Sequence, residues 1–120
     1  MKVEQAERSA TIAGAVTIVA GAALTLFPER CGKPIGMDSH PAALRRIGVT
    51  DLATAPGLIA GRPRWPWMFA RAALNAGIAA GAVRYREALG DRTALIAAGT
   101  FAVLIGIDGT AAKTLRAAGR

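Results

Sequence analysis

The sequence predicts an all-α fold: a membrane-embedded bundle of four transmembrane helices, with helices two and three forming a tight hairpin. Three observations predict it. The apolar residues gather into four blocks and the charges gather between them. The apolar residues are mostly Ala, Gly, Leu, Ile and Val, with aromatics only 5% of the chain. Small residues bury little area per residue in a soluble core, but they suit close helix packing in lipid. Finally, hydrophobic residues make up 52% of 120 residues, enough for a single domain, and the mean hydropathy is +0.34.

The first block, Ser9 to Phe27, holds 19 residues without a charge. A span needs about 20. The run exceeds the 7–15 apolar residues usual in a signal peptide, and further blocks follow, so a retained helix is expected. Phe27-Pro28 marks its end. Residues 29–41 then read as an irregular polar loop with two prolines and two glycines. Asp38 or Ser39 could cap the next helix, with Pro41 in its first turn.

The second block, Ala42 to Gly61, carries Arg45, Arg46, Asp51 and Pro56. Its uncharged part is too short to cross about 30 Å unless the arginines reach to one interface. Pro56 removes a backbone bond and predicts a kink. The connection RPRWPW holds the only tryptophans, Trp65 and Trp67. Trp prefers the headgroup level, so both are expected to anchor the turn there. A connection this brief makes helices two and three neighbours. The third block, Pro66 to Val83, carries Arg71 and Asn75, four apart and on one face. The fourth, Thr93 to Ala112, is free of charge until Asp108, and a basic tail of Lys113, Arg116 and Arg120 follows. Four spans place both termini and the RPRWPW turn on one side. Each side then carries seven Lys or Arg residues. Counting Arg45 and Arg46 with the helix tips the balance toward termini inside.

The net charge of +7 and pI of about 11.1 would suit a nucleic-acid binder. The basic residues are instead spread through every connection, as membrane topology and anionic lipid require. One cysteine, Cys31, allows no internal disulfide and makes no metal pattern with His40, the only histidine. Lys33 between Gly32 and Gly36 lacks the Gly-Lys-Ser/Thr ending of a phosphate-binding loop. No catalytic residue, metal or cofactor is expected.

Arg45, Asp51, Arg71, Asn75 and Asp108 lie within the expected spans. Ionisable groups there are costly, about 2.5–3.5 kcal/mol each on insertion scales, and they usually face the bundle interior. Folding the hairpin about its turn sets Asp51 level with Asn75 and one turn from Arg71. An Asp51–Arg71 ion pair with Asn75 as third partner is therefore expected. It would serve either as a proton, ion or polar-ligand site or as a structural pair fixing register. Gly57-x-x-x-Gly61 and Gly77-x-x-x-Gly81 each offer a flat strip for helix packing, within the bundle or against another subunit.

Through Arg45-x-x-Gly48-x-x-Asp51 and the four-block layout, the chain resembles the DoxX-like group of small four-helix bacterial membrane proteins. The resemblance implies the fold and a habit of working beside another protein. Some members are linked to quinone-coupled thiol or sulfur oxidation, but the chain lacks a cysteine pair for that role. The expected function is a non-enzymatic membrane accessory or structural subunit, packing in the bacterial inner membrane against a larger complex or against copies of itself. The alternatives are a small transporter or proton-coupled carrier using the intramembrane Asp/Arg/Asn cluster, and a quinone-linked redox component.

Overall fold

A computed structural model describes all 120 residues as six helices and one 3-10 turn, without strands. Helix α1 runs Val3–Leu26. It begins earlier than the apolar block because Gln5 reaches back to cap the chain, accepting the Lys2 N–H at 2.9 Å. It ends before Pro28, whose ring disfavours helical geometry at Phe27. The expected irregular loop is largely helical. Pro28 opens a short helix, α2 (Pro28–Gly32), followed by the 3-10 turn Lys33–Ile35. Gly36 closes the turn at φ +77°, a conformation that suits glycine.

Helix α3 spans Pro41–Ala60, with Pro41 at its first position as expected. It continues helically through Pro56. Residues 61–64 turn the chain, with a cis Arg62–Pro63 bond. Helix α4 spans Trp65–Arg84, α5 is the single turn Arg86–Leu89, and α6 spans Asp91–Ala117. Gly90, at φ +85°, makes the corner between α5 and α6.

The four long helices run antiparallel in sequence. Both termini and the 61–64 turn share one end, tied by the Arg64 N–H donating to the Arg120 carbonyl at 2.5 Å. The α2 and α5 turns share the other end, where His40 and Tyr85 lie 4.9 Å apart ring to ring. The molecule measures 43 × 26 × 16 Å.

The expected tight hairpin of the second and third long helices is looser than the sequence implies. The main partner of α3 is α1, and the main partner of α4 is α6. The reason is steric. A Cβ on Gly48 would stand 2.9 Å from the Gly21 carbonyl, and one on Gly21 would stand 3.0 Å from the Gly48 carbonyl. Two glycines face to face let α1 and α3 approach backbone to backbone. The buried stripe of α1, Ala6, Ala10, Gly14, Thr17 and Gly21, recurs at three or four residues and is made of small side chains. By contrast α3 and α4 meet at limited points. Trp67 lies over Gly57 and Gly61, and an ion pair joins the helices farther in.

Two helices, α1 and α6, are long and apolar enough to cross a membrane. The four spans expected from the sequence thus reduce to two on this criterion. Helices α3 and α4, at 20 residues each, are about 30 Å long, but their Arg, Asp, Pro and Asn residues dilute their apolar character.

Only 24 residues are buried. A compact apolar core, containing Ala10, Leu58, Met68, Ala111 and Leu115, sits toward the end that carries the termini. Farther along, the interior becomes polar.

Candidate functional site

The polar interior is built by three helices. On α3, Asp51 falls on the inward stripe with Gly48, Ala55 and Leu58. On α4, Arg71 and Asn75 fall one turn apart on the inward stripe with Met68. On α6, Asp108 falls inward with Ala111, Ala112 and Leu115. The 3.6-residue period aims all four side chains at the interior.

Arg71 Nη1 donates to Asp51 Oδ1 at 2.5 Å, joining α4 to α3. Asn75 Nδ2 donates to Asp108 Oδ2 at 2.6 Å, joining α4 to α6. Asn75 is fully buried, and Asp51, Asp108 and Arg71 are less than a tenth exposed. Charge-assisted bonds of this kind are short and strong, and a low-dielectric setting strengthens them further. Helix α4 is therefore the hub, bonding one neighbour with each of two successive turns.

The structure supports some of the expected cluster and revises the rest. Asp51 and Arg71 pair as expected. Asn75 is not a third partner of Asp51 but the partner of Asp108, because α4 packs principally on α6. Arg45 lies outside the cluster. It is exposed, and its Nε donates at 3.3 Å to the Thr25 carbonyl near the end of α1.

Sequence reasoning missed two further polar residues in the interior. Thr54 donates to the Asp51 carbonyl at 2.9 Å, and Thr17 is fully buried on α1. Thr17 sits in the periodic small-residue stripe, so its inward position was available from spacing alone. Thr17 Oγ1 and Asn75 Oδ1 are buried without a hydrogen-bond partner.

Charge bookkeeping singles out this interior. Every other Lys, Arg, Asp and Glu lies toward one end or the other of the bundle. The only charged residues between are two carboxylates, Asp51 and Asp108, and one guanidinium, Arg71. Arg71 bonds Asp51, and its charge also reaches Asp108. Asp108 has a neutral amide as its bonded partner.

The glycine motifs divide in use. Gly57 and Gly61 are filled by Trp67, so a Cβ at either would run into the indole. Gly77 and Gly81 on α4 have nothing within 4 Å, and neither do Gly99, Gly106 and Gly109 on α6. The tryptophans expected as interfacial anchors make packing contacts within the protein. Trp65 packs against the core, meets Phe69 edge to face at 5.9 Å, and carries the Arg116 guanidinium 5.1 Å over its ring. Cys31 is a free, partly exposed thiol in α2. His40 caps no helix with its side chain and lies beside Tyr85 with the two rings tilted at 55°. No three His, Cys, Asp or Glu side chains group as metal ligands.

A cavity of about 780 Å³ lies away from this cluster. It opens at the end that carries the termini, between the 61–64 turn, Glu7 and Arg120.

Comparison with protein-family models, with curated proteins and with solved structures finds no match to this chain. Within the Arg45-x-x-Gly48-x-x-Asp51 motif, Gly48 and Asp51 face inward and Arg45 faces out.

Proposed function

We propose that this chain is a small integral membrane protein of a bacterial inner membrane, its four long helices all crossing the bilayer. In this reading it serves as a non-enzymatic accessory subunit that docks through α4 and α6 onto a larger membrane protein or a second copy of itself. The inside-out distribution supports the membrane setting. Val19 is 71% exposed, Leu95 75% and Val103 63%, while Asp51, Arg71, Asn75 and Asp108 are buried. Lipid accepts the first group and rejects the second. Helices α3 and α4 would cross as members of the bundle, since their charged groups are paired inside it.

The observation that carries the docking role is the contrast between the two glycine motifs. The Gly57/Gly61 strip is occupied by Trp67, and the Gly77/Gly81 strip is open. Around it α4 also exposes Ala73, Ala76 and Ala80. A smooth face of small residues lets a partner helix approach closely, and dispersion contacts and lipid release reward that approach. The experiment is native purification of the tagged chain in mild detergent, comparing the wild type with Gly77→Leu/Gly81→Leu. The variant is expected to lose a partner or shift to monomer. A wild type that migrates alone, or a variant that keeps its full assembly, would refute the role.

A second reading has its own observation, the buried carboxylate excess. Arg71 bonds Asp51 and its charge also reaches Asp108, so one guanidinium serves two buried carboxylates. A proton or a monovalent cation is what such a site would exchange in an ion-coupled carrier. Asp108→Asn should then abolish ion flux in proteoliposomes, with Arg84→Gln as a control that retains it. Equal flux in both variants would eliminate the carrier.

A further inference from the structure

We infer that the cavity at the end carrying the termini is a binding site for the phosphate of an anionic phospholipid. The inference rests on the membrane setting proposed above, but not on the docking role or the carrier reading.

The cavity of about 780 Å³ is lined by three guanidinium-bearing residues, Arg62, Arg64 and Arg120, against one acidic side chain, Glu7. That carboxylate is already spent. Arg120 Nη1 donates to Glu7 Oε1 at 2.6 Å, and this contact holds the Arg120 guanidinium even more firmly protonated than usual. Arg64 is also placed in advance. Its Nη1 donates to the Glu7 carbonyl at 3.3 Å and to Thr11 Oγ1 at 3.0 Å. Arg62 makes no side-chain bond and no ion pair within the protein. The site therefore holds two arginines fixed by α1 and a third free to close on a ligand, with a net positive balance. Arginine forks match the oxygens of a phosphate and can each donate two parallel bonds to it.

Position selects a lipid rather than another anion. The 61–64 turn lies at the end of the apolar stretch of α3, beside Trp65 and Trp67, at the depth where headgroups lie in the membrane setting. Ile59 and Ala60 complete the wall on the bundle side, and Ile59 packs against α1 at Gly14. Ile12 on α1 is 55% exposed and Ile59 37%. A phosphate seated on the arginines leaves its glycerol and acyl chains against this apolar surface, continuous with the bilayer. Basic recesses between membrane helices recognise anionic headgroups in this way.

The test uses the full chain and has separate arms. The protein is first floated with vesicles of pure phosphatidylcholine. Failure to float refutes the membrane setting itself, and with it this site. If it floats, the protein is reconstituted in nanodiscs of phosphatidylcholine with one fifth phosphatidylglycerol. Retained phosphatidylglycerol is then counted by native mass spectrometry after detergent exchange. The expected result is one or more retained lipids, reduced at least fivefold by Arg62→Gln and by Arg62→Gln/Arg120→Gln. Arg84→Gln/Arg86→Gln, at the opposite end, should leave retention unchanged. Arg62 makes no bond within the protein, so its substitution does not threaten the fold. Equal loss from both pairs of variants would mean unspecific attraction to a basic surface and would overturn the site. Inorganic phosphate is the remaining arm. If it quenches or shifts Trp65 and Trp67 fluorescence at millimolar concentration while phosphatidylglycerol is not retained, the ligand is a soluble phosphate and the lipid assignment fails.

Discussion

Replacing Arg71 with Met would leave the Asp51 carboxylate buried without its partner, because the 2.5 Å contact to Arg71 is its only side-chain bond. Breaking a buried pair from one side costs about 3–5 kcal/mol, most of it the penalty of the abandoned charge. Arg71→Met is therefore expected to lower the unfolding midpoint in detergent sharply. The double variant Asp51→Leu/Arg71→Met should regain most of that loss, since apolar replacements carry no desolvation penalty. A double variant as unstable as the single one would show that the pair contributes more than charge compensation. Asn75 makes a related case. Truncation to Ala strands the Asp108 carboxylate and is expected to cost about 1–3 kcal/mol, read from the same unfolding curve. At this scale the sequence revealed the Asp51–Arg71 pair, because a brief turn fixes the register of α3 against α4. It did not reveal Asn75–Asp108. That bond spans 33 residues and depends on α4 lying against α6, for which no local pattern speaks.

Helix faces, rather than helix identities, separate what the sequence disclosed from what it did not. The four apolar blocks matched the four long helices to within a few residues at most ends, and the longest extensions fall at the polar ends of α1 and α6. Hydropathy marks where apolar character stops, while the helix continues until a proline, a glycine or the chain end stops it. Residues 29–35, part of the stretch 29–41, read as loop because Pro and Gly crowd there, yet Pro28 just ahead of them is well suited to open a first helical turn. The glycines show the limit most directly. Gly57-x-x-x-Gly61 and Gly77-x-x-x-Gly81 are equivalent as strings, and only the position of Trp67 distinguishes them. Gly57→Ala is expected to cost about 1–3 kcal/mol by forcing the indole aside. Gly77→Ala, in open space, should be neutral or stabilising by up to about 1 kcal/mol through helix propensity. Thermal unfolding of the two variants in the same detergent compares them directly. A Gly77→Ala variant that folds normally yet loses its partner would place the open strip inside the assembly.

For the whole molecule, the deciding arrangement is that residues 27–40 and the α5 turn lie at one end and both termini with residues 61–64 at the other. Charges crowd both ends, and the zone between holds only the buried Asp51, Arg71 and Asp108. Seven Lys or Arg residues lie at each end, but Arg45 and Arg46 lie within α3 rather than in its connection. Discounting them leaves more basic residues on the side of the termini, which favours a cytoplasmic location for that side. The chain supplies its own reporter, because Cys31 is its only cysteine and stands partly exposed in α2, at the end opposite the termini. In intact spheroplasts a membrane-impermeant maleimide is expected to label Cys31 without permeabilisation. A Cys31→Ala/Ala118→Cys variant, with its thiol at an exposed position beside the C-terminus, should be labelled only after the membrane is opened. The reverse pattern would invert the orientation and keep the four spans. Labelling of both positions from outside would show that the bundle does not cross, and the buried ion pair would then belong to a protein that lies on a membrane or away from it.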